Sequence, residues 1–313
     1  MPEYTLDNLS RAVLHTVAYS DIFDYPLTAR EIHRYLTGVR ASLEEIVQVV
    51  ATHGMVTRTG NYFTLRGREE IVRIRKQREV RSRELMPRAI RYGRLLGALP
   101  YIRMVALTGS LAVMNVSKNE DFDYLLVTAP GRVWTARACA VSFNRLTRLR
   151  GHTLCPNLIV SESALEWPLH DLYSARELYQ MIPVAGMDVY RRLLAANRWA
   201  TKFLPNVWQT SEAPTSGEIS EVSMPKLLEL PLNGKFGDRF EEWEMDRKIA
   251  RFSTQAGFGT ETIFNAEVCQ GNFHHHRKWT KEAFEKKLSA LAAVPGGEVT
   301  LTQPPTTAVE ANR

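Results

Sequence analysis

Apolar residues first recur at helical spacing in "NLSRAVLHTVAYSDIF" (8–23), where Val13, Leu14, Val17 and Ala18 share one face. A second helix is expected from "TAREIHRYL", because Thr28 stands three residues before Glu31, the spacing of a capping box. A third is expected from "SLEEIVQVVATHG", with the same box at Ser42 and Glu45 and a C-terminal stop at Gly54. The period then shortens. "MVTRTGNYFTL" gives two β-rich runs around Gly60-Asn61, the chemistry of a tight hairpin.

That order reads as a winged helix-turn-helix over residues 1–66. Beyond it, "RGREEIVRIRKQREVRSRELMPRAIRYGR" (66–94) is helical and basic, with a kink or break expected at Pro87. "YIRMVALTGS" then gives a strand ending in Gly-Ser, and "DFDYLLVT" a second strand. "GRVWTARACAVSFNRLTRLRG" gives a helix closed by Gly151, and "HTLCPNLIVS" a third strand. With its leading basic helix this makes a small mixed-sheet core over 67–165. Two amphipathic helices around Pro183–Gly186 form an extension over 166–209, and a polar linker follows at 210–223. A helical region is expected over 224–294 and a disordered tail over 295–313. The fold class expected is α+β.

Composition narrows the function classes. The 313 residues carry a formal charge of +6, which suits an acidic partner such as a nucleotide or nucleic acid only weakly. From Arg66 to Arg94 eleven Lys or Arg face four Glu, read most simply as a solvated helix face. Cys139, Cys155 and Cys269 are odd in number and lack CxxC spacing, so neither a disulfide framework nor a thiolate zinc site is expected. No leader pattern opens "MPEYTLDNLSRAVLHTV" and no apolar run has the length of a membrane span, so a cytoplasmic protein without a membrane partner is expected. Residues 42–53 hold no Lys or Arg, and Glu44 and Glu45 stand at the end that would meet a duplex. Like charge opposes phosphate, so sequence-specific DNA readout is not expected of the third helix, and a packing or protein-contact role is.

The chemistry concentrates in "LTGSLAVMNVSKNEDFDYLLVT" (107–128), where Asp121 and Asp123 lie two apart in a strand pattern and so on one face. Two carboxylates about 4 Å apart repel by roughly 4 kcal/mol at an intermediate dielectric unless a cation or proton joins them. Ten residues upstream stand Gly109 and Ser110, a bare backbone and a hydroxyl able to approach a phosphate. This order resembles the nucleotidyltransferase superfamily, the polymerase β-like enzymes: an apolar strand into Gly-Ser, a short turn, then Asp-x-Asp in an apolar strand. The wider arrangement is similar to bacterial proteins in which a winged helix precedes such a domain, with "DLYSARELYQMIPV" and "AANRWATKFLPN" belonging to the pattern.

The resemblance implies a Mg²⁺- or Mn²⁺-dependent enzyme that moves a nucleoside monophosphate from an NTP such as ATP to an acceptor, which could be a small molecule, RNA or protein. Asp121 and Asp123 would be the catalytic metal ligands, and Gly109 and Ser110 would bind the phosphates. The family usually draws a third carboxylate from the next strand. Here that strand carries Asn157, a neutral oxygen donor, and no acid before Glu162 near its end. Asn157 is expected to face the pair, and Glu162 reaches it only if the chain turns back at Ser161. The competing implication is a non-catalytic scaffold or regulator that keeps the fold and works through its winged helix. Other candidates are weaker. His274–His276 cannot all face one metal without backbone strain, Lys118 reads as an exposed turn residue, Trp134 as core, and Arg137 as a pocket residue or a salt-bridge partner.

Overall fold

The structure, a computed structural model, describes residues 6–117, 121–207, 229 and 233–293. The linker 210–223, the tail 295–313 and Lys118 lie outside the described residues. The first helix, α1 (Leu6–Asp21), is followed by a two-residue strand β1 (Leu27–Thr28), α2 (Ala29–Arg34) and α3 (Leu43–Thr52). Both capping boxes form: the Thr28 and Ser42 side chains accept from the backbone N–H of Glu31 and Glu45, whose carboxylates bond back. β2 (Val56–Thr59) and β3 (Tyr62–Leu65) pair antiparallel around Gly60, and β1 joins them in the order β1-β3-β2. The apolar faces of these elements close one core, which includes Leu14, Ile32, Ile46 and Phe63.

α4 (Ile71–Gly97) runs unbroken through Pro87, so the expected break is absent. Pro87 is exposed, where the missing N–H leaves a carbonyl that water can satisfy. Then come β4 (Ile102–Leu107), the single turn α5 (Gly109–Ala112), β5 (Phe122–Thr128), α6 (Val133–Arg148) and β6 (Leu154–Ser161). α7 (Leu172–Gln180), β7 (Ile182–Ala185), α8 (Met187–Ala196) and a 3-10 helix (Arg198–Lys202) follow. The last elements are α9 (Lys235–Phe252), β8 (Thr262–Phe264), β9 (Val268–Gly271) and α10 (His276–Ala292).

Six strands form one mixed sheet in the order β7-β4-β5-β6-β9-β8, in which only β5 and β6 run parallel. Alternation divides its two faces. Leu107, Phe122, Tyr124 and Leu126 point to a core shared with Ala89 and Leu96 of α4 and Trp134 of α6. Met104, Ala106, Leu125 and Val127 point to a core shared with α7, α8 and the 3-10 helix. Asp123 lies in the second row.

Two strand regions depart from the sequence expectation. β7 occupies the expected turn at Pro183–Gly186, where it is an edge strand against β4 and so tolerates a proline that donates nothing. Its exit needs glycine: Gly186 has φ +74°, and a Cβ there would lie 2.0 Å from the Arg103 carbonyl. The C-terminal region is not wholly helical either, since β8 and β9 extend the sheet beyond β6. The Asn265 side chain makes their turn by accepting from the backbone N–H of Glu267 and Val268.

The N-terminal elements are fastened to the rest by arginines. Arg75 of α4 ion-pairs with Glu31 (2.7 Å) and Glu79 (2.9 Å) and lies over the Tyr25 ring. Arg176 of α7 lies against the rings of Tyr19 and Tyr35 at 4.8 and 4.9 Å and donates to the Tyr35 carbonyl. α10 completes the joint, with Phe284 edge-on to Tyr19 and Lys287 paired to Asp21. Among the described residues, no helix is long and apolar enough to cross a membrane.

Candidate active site

β4 delivers Gly109 to the carboxylates. The Thr108 N–H donates to the Asp123 carbonyl at 2.9 Å, holding the strand exit against the start of β5. Gly109 then turns with φ +66°, and a Cβ on it would stand 2.5 Å from Asp123 Oδ2. Only a residue without a side chain lets backbone and carboxylate meet so closely. The turn is braced from behind: Asn115 N–H donates to the Ser110 carbonyl, and Val116 N–H to the Ser82 hydroxyl of α4. Arg78 donates to the Asn115 side chain at 3.2 Å. Gly109 is thus brought against Asp123 in space, with Ser110 the next residue of the turn.

Asp123 is half-buried on β5, while Asp121 is exposed and precedes the strand. Tyr124, the next residue, points to the opposite face and pins β5 to α4 by donating its hydroxyl to the Ala89 carbonyl at 2.7 Å. Across the parallel ladder Asp123 pairs with Cys155, and the register shifts so that Leu125 pairs with Leu158. Asn157 is the residue left over in that shift. It is exposed, and its Oδ1 accepts from the Cys155 thiol at 2.8 Å. Cys155 rather than Asn157 is therefore the direct neighbour of Asp123. Burial, then the charges of Asp123 and Asp121, push the Cys155 thiol up to about 12, so it stays protonated.

Glu162 does not turn back. Its N–H donates to the Thr128 carbonyl at the far end of β5, and its carboxylate pairs with Arg192 of α8. Five ladder positions separate Thr128 from Asp123, so Glu162 takes no part in this site. The acid that does sense Asp123 is Glu177 of α7, absent from the sequence reading. Burial first, then the Asp123 charge, push its carboxyl up to about 7. It sits in "DLYSARELYQ", where helical spacing marked the apolar face but could not say that α7 covers the Asp123 side of the sheet.

The remaining candidates fall elsewhere. Trp134 is fully buried and donates to the Asn265 carbonyl, which is a core role. Arg137 lies over the Phe252 ring at 5.0 Å, packed between α6 and α9. His275 has φ 52° just before α10, with the His274 and His276 rings 5.9 Å apart, and among the described residues no group of three or more His, Cys, Asp or Glu could hold a metal. That last result bears on Mg²⁺ less than on zinc, because Mg²⁺ is held by one or two carboxylates with waters and substrate phosphates rather than by a protein cage. Asp121 and Asp123 would supply such a partial set of hard oxygen donors.

No protein-family model matches this chain, and no curated protein or solved structure matches it significantly.

Proposed function

We propose that the chain is a nucleotidyltransferase whose site lies where β4 and β5 meet, with residues 1–66 a winged helix-turn-helix. One observation carries the reading: a glycine in the left-handed region stands against the carboxylate of an Asp-x-Asp pair, and a methyl group would already collide there. Structural need alone does not place a bare backbone beside a carboxylate that has further acids near it.

In this reading Asp121 and Asp123 hold Mg²⁺ or Mn²⁺, and Gly109 and Ser110 cradle the phosphates of an NTP. The bound metal would neutralise phosphate charge and make the attacking oxygen of the acceptor a better nucleophile. The chain's own residues position and shield. The Thr108–Asp123 bond fixes the cradle against the metal ligands, and α4 holds the loop 113–116 that closes behind it. Glu177 of α7 adds a carboxyl that burial and the Asp123 charge keep from ionising until about pH 7. Cys155, as a neutral thiol, takes no proton. A second reading, a non-catalytic scaffold or regulator, draws on Cys155 and Asn157 standing on the strand where the resemblance leads one to expect an acid.

Turnover separates the two. With α-³²P-labelled NTPs and Mg²⁺, wild type should release pyrophosphate and label an acceptor drawn from RNA, protein or small-molecule pools. Asp121→Asn/Asp123→Asn should lose at least about 10³-fold of that rate. Equal rates in the two proteins would overturn the assignment.

A further inference from the structure

α4 carries a second surface that the site does not use. Arg73, Lys76, Gln77, Val80, Arg83, Glu84, Pro87, Arg88, Arg91 and Leu95 are all exposed. At 100° per residue they form one stripe, and from Arg73 to Arg91 it runs about 27 Å at 1.5 Å per residue. Five of its members are cations and one, Glu84, is an acid. The helix's other acid on its inner side is already engaged: Glu79 accepts from Arg75 at 2.9 Å and from the Tyr62 hydroxyl at 3.2 Å, leaving Arg83 only a 3.5 Å approach. Among the described residues, Arg73, Lys76, Arg88 and Arg91 have no carboxylate within ion-pair distance. A surface kept charged for solubility alone intersperses both signs. This one does not.

We propose that the stripe is a docking track for the phosphate backbone of a DNA duplex, bound without regard to sequence. The charge and its helical spacing match a partner with one negative charge per about 1.7 Å of axis. A single strand would call for aromatic side chains on which bases stack, and the stripe has none. An RNA duplex is told from DNA through its 2′-hydroxyls, and the stripe's uncharged members are Gln77, Val80, Pro87 and Leu95, of which only Gln77 can bond one. Base readout is not part of the inference. The outward side chains of α3, Glu44, Val47, Gln48, Ala51 and Thr52, include no cation. The inference stands apart from nucleotidyl transfer, which uses other residues.

The test is fluorescence anisotropy of a labelled 20-base-pair DNA duplex with the full chain over 50–200 mM salt. Five phosphate contacts predict a log–log slope of about −4 to −5 and a loss of about 10²–10³-fold in affinity across that range. Lys76→Gln/Arg83→Gln/Arg91→Gln should flatten the slope to about −2, with a circular dichroism melt like wild type. Asp121→Asn/Asp123→Asn should bind the duplex as wild type does. Absence of binding at 50 mM salt, an unchanged slope in the folded triple variant, or tenfold tighter binding of a single strand or an RNA duplex would each overturn the proposal.

Discussion

The central sheet meets charge differently at its two ends. At the end of β4 and β5 that holds Tyr101 and Arg132, each cation faces an acid: Arg103 grips Glu229 through two bonds of 2.7 and 2.9 Å, and Arg132 reaches Asp238 at 2.7 Å. The Tyr101 N–H and hydroxyl complete the cradle around Glu229. Its charges stabilise one another, and Glu229 holds the Arg103 guanidinium above its ordinary range. At the other end acids adjoin acids. Asp123 drives Glu177 and Cys155 toward their neutral forms on top of what burial does. The first end is what a fold builds for stability. The second works against the fold, which supports the proposed reading of that end as a binding site.

The comparison breaks most easily at Gly109. Gly109→Ala should destabilise the protein by about 2–4 kcal/mol, since the new methyl meets the Asp123 carboxylate and φ +66° strains any L side chain. Urea denaturation measures it. A variant as stable as wild type would mean that the close approach is not held tightly.

Glu177 sharpens the contrast through pH. Its folded carboxyl keeps a proton up to about 7, whereas the unfolded chain releases it near the ordinary 4.5. Between these values the folded state binds more protons, so stability falls as pH rises from about 4.5 to about 7. Glu177→Gln should remove that loss and leave the variant more stable by about 1–3 kcal/mol at pH 8, with little difference at pH 4. Asp123→Asn should shrink the same slope. An unaltered pH profile in Glu177→Gln would place the strain elsewhere.

Arg103→Ala tests the opposite end and should have the smallest effect. Loss of the paired contacts to Glu229 should cost about 1–2 kcal/mol in thermal or urea unfolding, with nucleotide turnover unchanged. A large fall in turnover at unchanged stability would show that the two ends are not independent.

How much of this was legible depends on the range of the contacts. The capping boxes at Thr28 and Ser42, the Gly60 hairpin and the strand exit at Gly109 are local chemistry, and their spacing in the sequence carried them. β7 and the β8–β9 hairpin were not legible: β7 lies in a stretch whose Pro183 and Gly186 read as a turn, and β8 and β9 pair around Asn265 without the Gly60-Asn61 kind of signal that marked β2 and β3. In the proposed site, Gly109, Ser110, Asp121 and Asp123 follow from one short stretch. Glu177 and Cys155 do not. Cys155 meets Asp123 through a parallel pairing across α6, and Glu177 through the packing of α7 on one sheet face, neither of which any local pattern encodes. Glu162 illustrates the converse, an acid near enough in sequence but carried by a straight strand to the wrong end.

The most direct test of the carboxylate end is a calorimetric titration of ATP and the other NTPs into wild type and Asp121→Asn/Asp123→Asn, each with and without Mg²⁺. The account predicts saturable binding to wild type that weakens at least about tenfold, about 1.4 kcal/mol, when either Mg²⁺ or the aspartate pair is removed. Binding that is the same in all four titrations, or absent at millimolar nucleotide with Mg²⁺ present, would contradict it.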